Sequence, residues 1–486
     1  MPCNAKEIRA ALINVLPENT AMSAQELGKQ FVFLPLAHTK ALRLSCNLVV
    51  GARGVGKSFW TRALSDEVIR DELAKTLPDL LNLVVHNGYA SQSDRLSYPE
   101  KDTFSALLAK DYTPYYVWRA VVYRWLLKLL NMDLHHSRWD ETVEWIKDNP
   151  EDFIALAEQA NKQLTENNQA GLILFDSLDV TNDDWQVMDD ITRDLLKVVL
   201  WLRSFSKLNA KVFLRSDQFQ RKVLDFPDAS KLLATKVDLN WSSTDLYGLL
   251  WQYLCNAESE HGQCLRALYK QKGQLLEREG FFTLSDEFKR DAETQRSLFE
   301  FLAGQWMGRD RRRGVPYVWT VSHLADGQGI TSPRSFLIAL RKAAEFTELQ
   351  HADFEFALHY DGIKKGVQEA SAVRVTELKE DYWWLGEVAE PLRGITLPCE
   401  FSVIEERWQD AFPGGVDGIS RQDSKSGLPV QNAELGWLGL KNDLEQIGVF
   451  KTKKDGRIDM PDLYRVGFGL GRRGGVKPAS NVWVFN

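Results

Sequence analysis

The segment GARGVGKS, residues 51–58, constrains this chain more than any other. It fits the phosphate-binding pattern G-x-x-x-x-G-K-[ST] at every fixed position. Ahead of it runs CNLVV, apolar and β-branched, which reads as a buried strand; behind it runs FWTRALSDEVIRDELAK, which reads as a helix. Gly51, Gly54 and Gly56 let the backbone curl so that successive N–H groups face an anion. The helix behind adds the positive end of its dipole. On these grounds Gly51, Ala52, Arg53, Gly54, Val55, Gly56, Lys57, Ser58 and Phe59 are expected to wrap a nucleoside triphosphate tail. Lys57 would reach the β- and γ-phosphates, and the Ser58 hydroxyl would hold Mg2+.

The second landmark is LILFDSLD, residues 172–179. An apolar run ending in a carboxylate is a buried strand whose tip offers Asp176 to the same Mg2+ as Ser58. The separation from Lys57 is long, and a helical insertion over 104–165 accounts for it. Residue 177 is serine, where many ATPases carry a glutamate. Asp179 is the next acid: it either polarises the attacking water or caps the loop, with slow hydrolysis. KVFLRSD, residues 211–217, is a further buried strand with a polar tip. Arg215 at that tip either senses the γ-phosphate or pairs with Asp217 or Asp176. No Asn-Lys-x-Asp guanine-reading motif occurs, so the expected cofactors are ATP and Mg2+.

Composition sets outer limits. The chain has 486 residues, enough for two to four domains, with 44% hydrophobic and 26% charged residues and a net charge of −7. Nucleic-acid contact would therefore need a local basic patch. The five cysteines, with no C-x-x-C, read as free thiols. The opening residues are polar and carry both charge signs, unlike a secretory signal. The most apolar window, 115–132, is interrupted by Arg119, Arg124 and Lys128, too often for a membrane span. A cytoplasmic location without membrane contact is expected.

Residues 1–30 read as a helical segment, with one helix over 5–16 and a capping-box start at Ser23 and Glu26. Phe31, Phe33 and His38 either pack on adenine or are ordinary core. Residues 81–85 read as a second strand, 189–206 as a strongly amphipathic helix, and 237–241 as a last strand followed by a helix capped by Ser242 or Ser243. These place a P-loop NTPase core over 31–255. A mainly helical lid spans 256–410. Within it, Arg334 at a Pro-opened helix start is a candidate second phosphate sensor. The cluster Arg309, Arg311, Arg312 and Arg313 is either a finger for a neighbouring subunit or a solvated loop. The pair His135–His136 has no matching ligand set and reads as surface. A Gly- and Ser-rich linker covers 411–434. The helix, basic turn and final strand of 435–486 suggest a winged-helix-like domain, in which Lys451, Lys453, Lys454, Arg472, Arg473 and Lys477 could line DNA phosphates.

GARGVGKS, LILFDSLD and KVFLRSD, followed by a helical lid, together resemble the AAA+ and STAND branches of the P-loop NTPases. The D-S-L-D spacing is closer to STAND. FPDASKL, LNWSSTDLY, SPRSFLIALRKA and DMPDLYRVGFGL resemble an uncharacterised bacterial P-loop ATPase family typed by a cyanobacterial protein. The fold class this implies is α/β, a parallel-sheet core of the ASCE/AAA+ kind. The function it implies is a conformational ATPase acting with an effector protein, as a homo-oligomer or both, in an anti-phage defence setting. The alternative is a DNA-binding ATPase of the origin- or transposition-loader kind, using a C-terminal winged helix.

Overall fold

The computed structural model describes residues 4–18, 28–219, 221–419 and 428–478. The capping box at 23–26, the final strand at 481–485 and part of the 411–434 linker lie outside the described residues. The chain forms two compact units. One is Leu36–Asn240; the other joins Met1–Pro35 to Trp241–Asn486.

The first unit is built on a five-stranded sheet of β1 (Leu48–Gly51), β2 (Leu83–Tyr89), β3 (Ala170–Phe175), β4 (Leu208–Arg215) and β5 (Val237–Asp238), in the order β2-β3-β4-β1-β5. Every pairing is parallel. Strands covered on both faces read as unbroken apolar runs, which is why LVVG and LILF are recognisable without alternation. The order sets β4 between the strand that precedes the P-loop and the strand that ends before Asp176. This is an α/β P-loop NTPase core with an additional central strand.

Lys211, on β4, is fully buried, and its ammonium donates to the carbonyls of Ala41, Arg43 and Cys46. Burial pulls its pKa down to about 8. It closes the turn that feeds β1. The insertion forms four helices, Lys101–Leu108, Pro114–Leu129, Trp139–Asp148 and Pro150–Glu166. Pro114–Leu129 is buried on nearly every side. Its Trp118 donates to the carbonyl of Ile191 on the helix Trp185–Leu202 (2.9 Å). Its buried Arg124 donates to the carbonyls of His136, Ser137 and Arg138 and lies 3.7 Å over the Trp139 ring. The arginine that interrupts this apolar window thus serves an interior hydrogen-bond network. Among the described residues no helix is long and apolar enough to cross a membrane. His135 is exposed and His136 half-buried.

The second unit is mainly helical, as expected, and adds a hairpin of β6 (Leu275–Arg278) and β7 (Phe281–Leu284) within the stretch read as a helical lid. The two-residue connection Glu279 and Gly280, with Gly280 at φ +82°, is the turn signal that stretch contained. The helix Ser243–Cys255 belongs to this unit and is capped by Ser242 in a capping box with Asp245. Helices Pro333–Gln350 and Tyr360–Asp381 form an αα-hairpin. Toward the C-terminus, Thr396–Leu397 pairs in parallel with Gly471–Arg472, and Lys451–Thr452 pairs antiparallel with Ile458–Asp459. Helices Phe401–Ala411 and Gly436–Gln446 accompany them, with Trp408 buried between Trp437 and Phe450.

The free-thiol expectation needs one correction. Cys46, Cys255 and Cys399 are free, but Cys264 is disulfide-bonded. Spacing along a chain does not report which sulfurs meet in space.

Candidate nucleotide site

The site lies along the carboxyl edge of the sheet, where ligands bind in open parallel sheets. Register brings its parts together. Gly51 ends β1 directly beside Arg215 at the end of β4, and Phe175, the last residue of β3, pairs with Val212. Asp176 follows Phe175, and its amide donates to the carbonyl of Tyr89 on β2 (3.0 Å).

Between β1 and the helix Lys57–Ser65 the loop turns on two residues in the left-handed region, Gly54 (φ +81°) and Gly56 (φ +102°). Gly56 is the helix N-cap and has no side chain to satisfy the first-turn amides, which are left for a ligand. Gly51 plays a different part from the one expected. It is still strand, and a Cβ there would sit 2.6 Å from the Val55 side chain.

Lys57 is half-buried as a residue, with its ammonium enclosed. The Nζ donates to the loop carbonyls of Gly51 (2.8 Å) and Ala52 (3.0 Å). Burial, with a smaller push from Arg215, lowers its pKa to about 8, against the pull of Asp176, Asp179 and Asp217.

Asp176 is 5% exposed, and burial raises its pKa. The Ser58 hydroxyl hydrogen-bonds its carboxylate. The two groups expected to share Mg2+ are therefore in contact with each other. Two hard oxygen donors, one of them a carboxylate withheld from water, fit a cation that keeps most of its own waters.

Ser177 adopts a left-handed conformation (φ +59°), strained for a residue with a side chain. It turns the chain into the short 3-10 helix Leu178–Val180, which carries Asp179. Arg215, 7% exposed, donates from Nε to Asp217 (3.1 Å) and from Nη1 to Asp179 (3.2 Å). Of the two roles left open for Arg215, the pairing with Asp217 is present, and Asp179 joins it.

The remaining expected residues are engaged as follows. Arg334 is in the second unit, where it pairs with Glu377 (2.7 Å). Arg311–Arg313 form an exposed 3-10 turn in which Arg312 pairs with Asp310. Phe31 stacks on Tyr253 and Phe33 on Trp241, both within the second unit. His38 is fully buried, with both ring nitrogens bonded. Phe33 is buried like His38, whereas Phe31 is half-buried. Sequence reasoning missed Lys211 and the Ser177 turn; a lysine inside KVFLRSD was the only signal for the first.

No family model matches the chain, and no curated protein matches it. Among solved structures, Cdc6p from Pyrobaculum aerophilum is 12% identical over 92% of this chain and 95% of its own, with a TM-score of 0.33. The Aeropyrum pernix ORC2 protein in its ADPNP–ADP complexes is 13% identical over 86% of this chain and 84% of its own, TM-score 0.37. The same protein in its ADP form is 14% identical over 93% of each chain, TM-score 0.30. All three scores are below one half, so the assignment of the site rests on its own geometry.

Proposed function

We propose that this chain is a Mg2+-dependent, ATP-binding conformational switch of the AAA+/STAND kind that hydrolyses ATP slowly and acts with an effector protein. The observation that carries this is the meeting of the Ser58 hydroxyl and the buried Asp176 carboxylate beside a glycine-turned loop and its lysine. The Lys57 ammonium would exchange two loop carbonyls for phosphate oxygens, trading hydrogen bonds and gaining charge assistance. Mg2+, when bound, neutralises phosphate charge. Slow turnover follows from Asp179: its Oδ2 is held by Arg215, and an ion-paired carboxylate is a weaker base toward water than a free one. A γ-phosphate that drew Arg215 away would release it.

Binding and turnover separate these roles. Lys57→Ala should weaken nucleotide binding by about 10–100-fold, the worth of one charge-assisted hydrogen bond. Asp176→Asn should abolish the Mg2+ dependence of tight binding. Asp179→Ala should leave binding intact and slow hydrolysis. An unchanged affinity in Lys57→Ala removes nucleotide binding here; an unchanged rate in Asp179→Ala removes that residue as the base.

A second reading, DNA binding, is favoured by one feature. Lys451 is exposed on a strand of a two-stranded hairpin and Lys453 and Lys454 on its turn, and Arg473 and Lys477 are exposed further along the chain. Arg472 is instead tied to Asp459 and Asp462. A salt titration of duplex binding should show a log–log slope that falls by about one when Lys453 is changed to Ala. No binding at low salt excludes this reading.

A further inference from the structure

Outside the nucleotide site, two imidazoles and a carboxylate converge where the αα-hairpin turns. His351 is the C-cap of Pro333–Gln350, His359 the N-cap of Tyr360–Asp381, and Asp361 the second residue of that helix. The two imidazoles stack with centroids 3.7 Å apart and planes 18° apart. One ligand-capable atom from each of the three residues lies within 4.8 Å of the other two.

The turn is held from outside. Arg9, fully buried, donates to the carbonyls of Ala352 (3.2 Å), Phe356 (3.3 Å) and Ala357 (3.0 Å) and to Glu348 (2.6 Å). The His359 amide donates to Thr347 Oγ1 (3.0 Å).

Electron pairs are placed as well. His359 Nδ1 accepts the amide of Asp361 (3.1 Å), so Nδ1 carries the lone pair and Nε2 the proton. Asp361 gives Oδ1 to Lys364 (2.9 Å), and its Oδ2 faces His359 Nδ1 at 3.8 Å. A tetrahedral ion bound at ordinary zinc distances sets its ligand atoms about 3.4 Å apart. Binding would bring these two atoms about half an ångström closer and turn the His351 and His359 rings out of their stack, so that both in-plane lone pairs meet one ion with His351 as the third ligand.

We propose that His351, His359 and Asp361 bind a divalent cation of the zinc class, which clasps the hairpin at its turn and leaves a fourth position for water. Two imidazole nitrogens with one carboxylate favour Zn2+ over Mg2+ or Ca2+, which prefer all-oxygen sets. The ion would take over the His359 lone pair from the Asp361 amide.

The test uses the full chain, stripped with a chelator and titrated with Co2+ in excess Mg2+, with the visible d–d absorption as readout and Zn2+ as competitor. One cobalt per chain is expected, displaced by Zn2+. His351→Ala and Asp361→Asn should each weaken binding by more than about tenfold, the lower end of the range seen when even an outer partner of a metal is lost. Lys364→Ala, which frees Asp361 Oδ1, should bind at least as tightly. Circular dichroism checks that each variant folds, and Asp361→Asn, being isosteric, keeps the test open if His351→Ala does not. Absence of stoichiometric cobalt binding overturns the proposal and leaves a stacked histidine pair that only packs. So does cobalt binding that Asp176→Asn removes and the turn variants do not.

Discussion

Lys57 is the residue whose charge the nucleotide site depends on, and its burial makes that charge sensitive to pH. With a pKa lowered to about 8, the ammonium is present below pH 8 and lost above it. Bound phosphate restores the charged form, so binding above pH 8 must take up a proton. Affinity for MgATP should therefore be flat below about pH 7 and then fall toward about tenfold per pH unit above 8. Calorimetry in buffers of different ionisation enthalpy should find uptake approaching one proton per site. Lys57→Arg, which stays charged, should lose the pH dependence; a wild-type profile flat through that range would show that the ammonium is not desolvated as described. At this scale much of the site could be read from the chain itself. A P-loop and an apolar run ending in Asp are defined by short spacings, and short spacings survive folding. The engagement of Arg215 by Asp179 as well as Asp217 could not be read, because it depends on a turn at Ser177 that no propensity favours.

The αα-hairpin shows what an element needs beyond apolar periodicity. Gly362 and Gly366 sit inside the helix Tyr360–Asp381, where each costs about 1 kcal/mol relative to alanine. The packing supplies the reason. A Cβ at 366 would lie 2.0 Å from the Ala339 carbonyl oxygen, and one at 362 would lie 2.7 Å from that of Ala343. At 366 backbone meets backbone and no flexible side chain can yield, while at 362 the Thr347 hydroxyl is nearer still, at 2.5 Å. Gly366→Val should destabilise the protein by about 1–3 kcal/mol, while Gly418→Ala, with open space around it, should stay within about 0.5 kcal/mol. Chemical denaturation measures both, and equal stabilities would mean the helices are free to part. Helices of this unit were legible from their periodicity and caps, Ser242 with Asp245 among them. The β6–β7 hairpin was not, since four-residue strands flanked by helices leave no period to count and only Gly280 marks the turn.

Over the whole molecule, the chain enters the sheet-bearing unit at Leu36 and leaves it at Asn240. Both passages are tied to the phosphate-binding loop. β5, just before the exit, pairs with β1, and the Leu239 amide donates to the Val50 carbonyl (2.7 Å). On the helix that follows the loop, the Trp60 indole donates to His38 Nδ1 (3.1 Å). An indole N–H can only donate, so the His38 proton is on Nε2, which gives it to the carbonyl of Asn240 (3.0 Å). In the other unit the flanking segments are also joined, Phe33 to Trp241 by ring stacking and Gln252 to the Gln30 carbonyl (2.8 Å). Any movement of the helix Lys57–Ser65 on binding phosphate would thus be felt at both crossings. MgATP should change amide hydrogen exchange over 28–35 and 241–255 in the wild type. His38→Phe fills the same space without either bond, at a cost of about 1–3 kcal/mol for each partner left unsatisfied. It should still bind nucleotide yet lose that change in exchange, and Trp60→Phe should weaken it by removing one arm alone. A wild type whose exchange ignores MgATP, or a His38→Phe variant that responds as fully as the wild type, would mean that nucleotide is not signalled through this histidine.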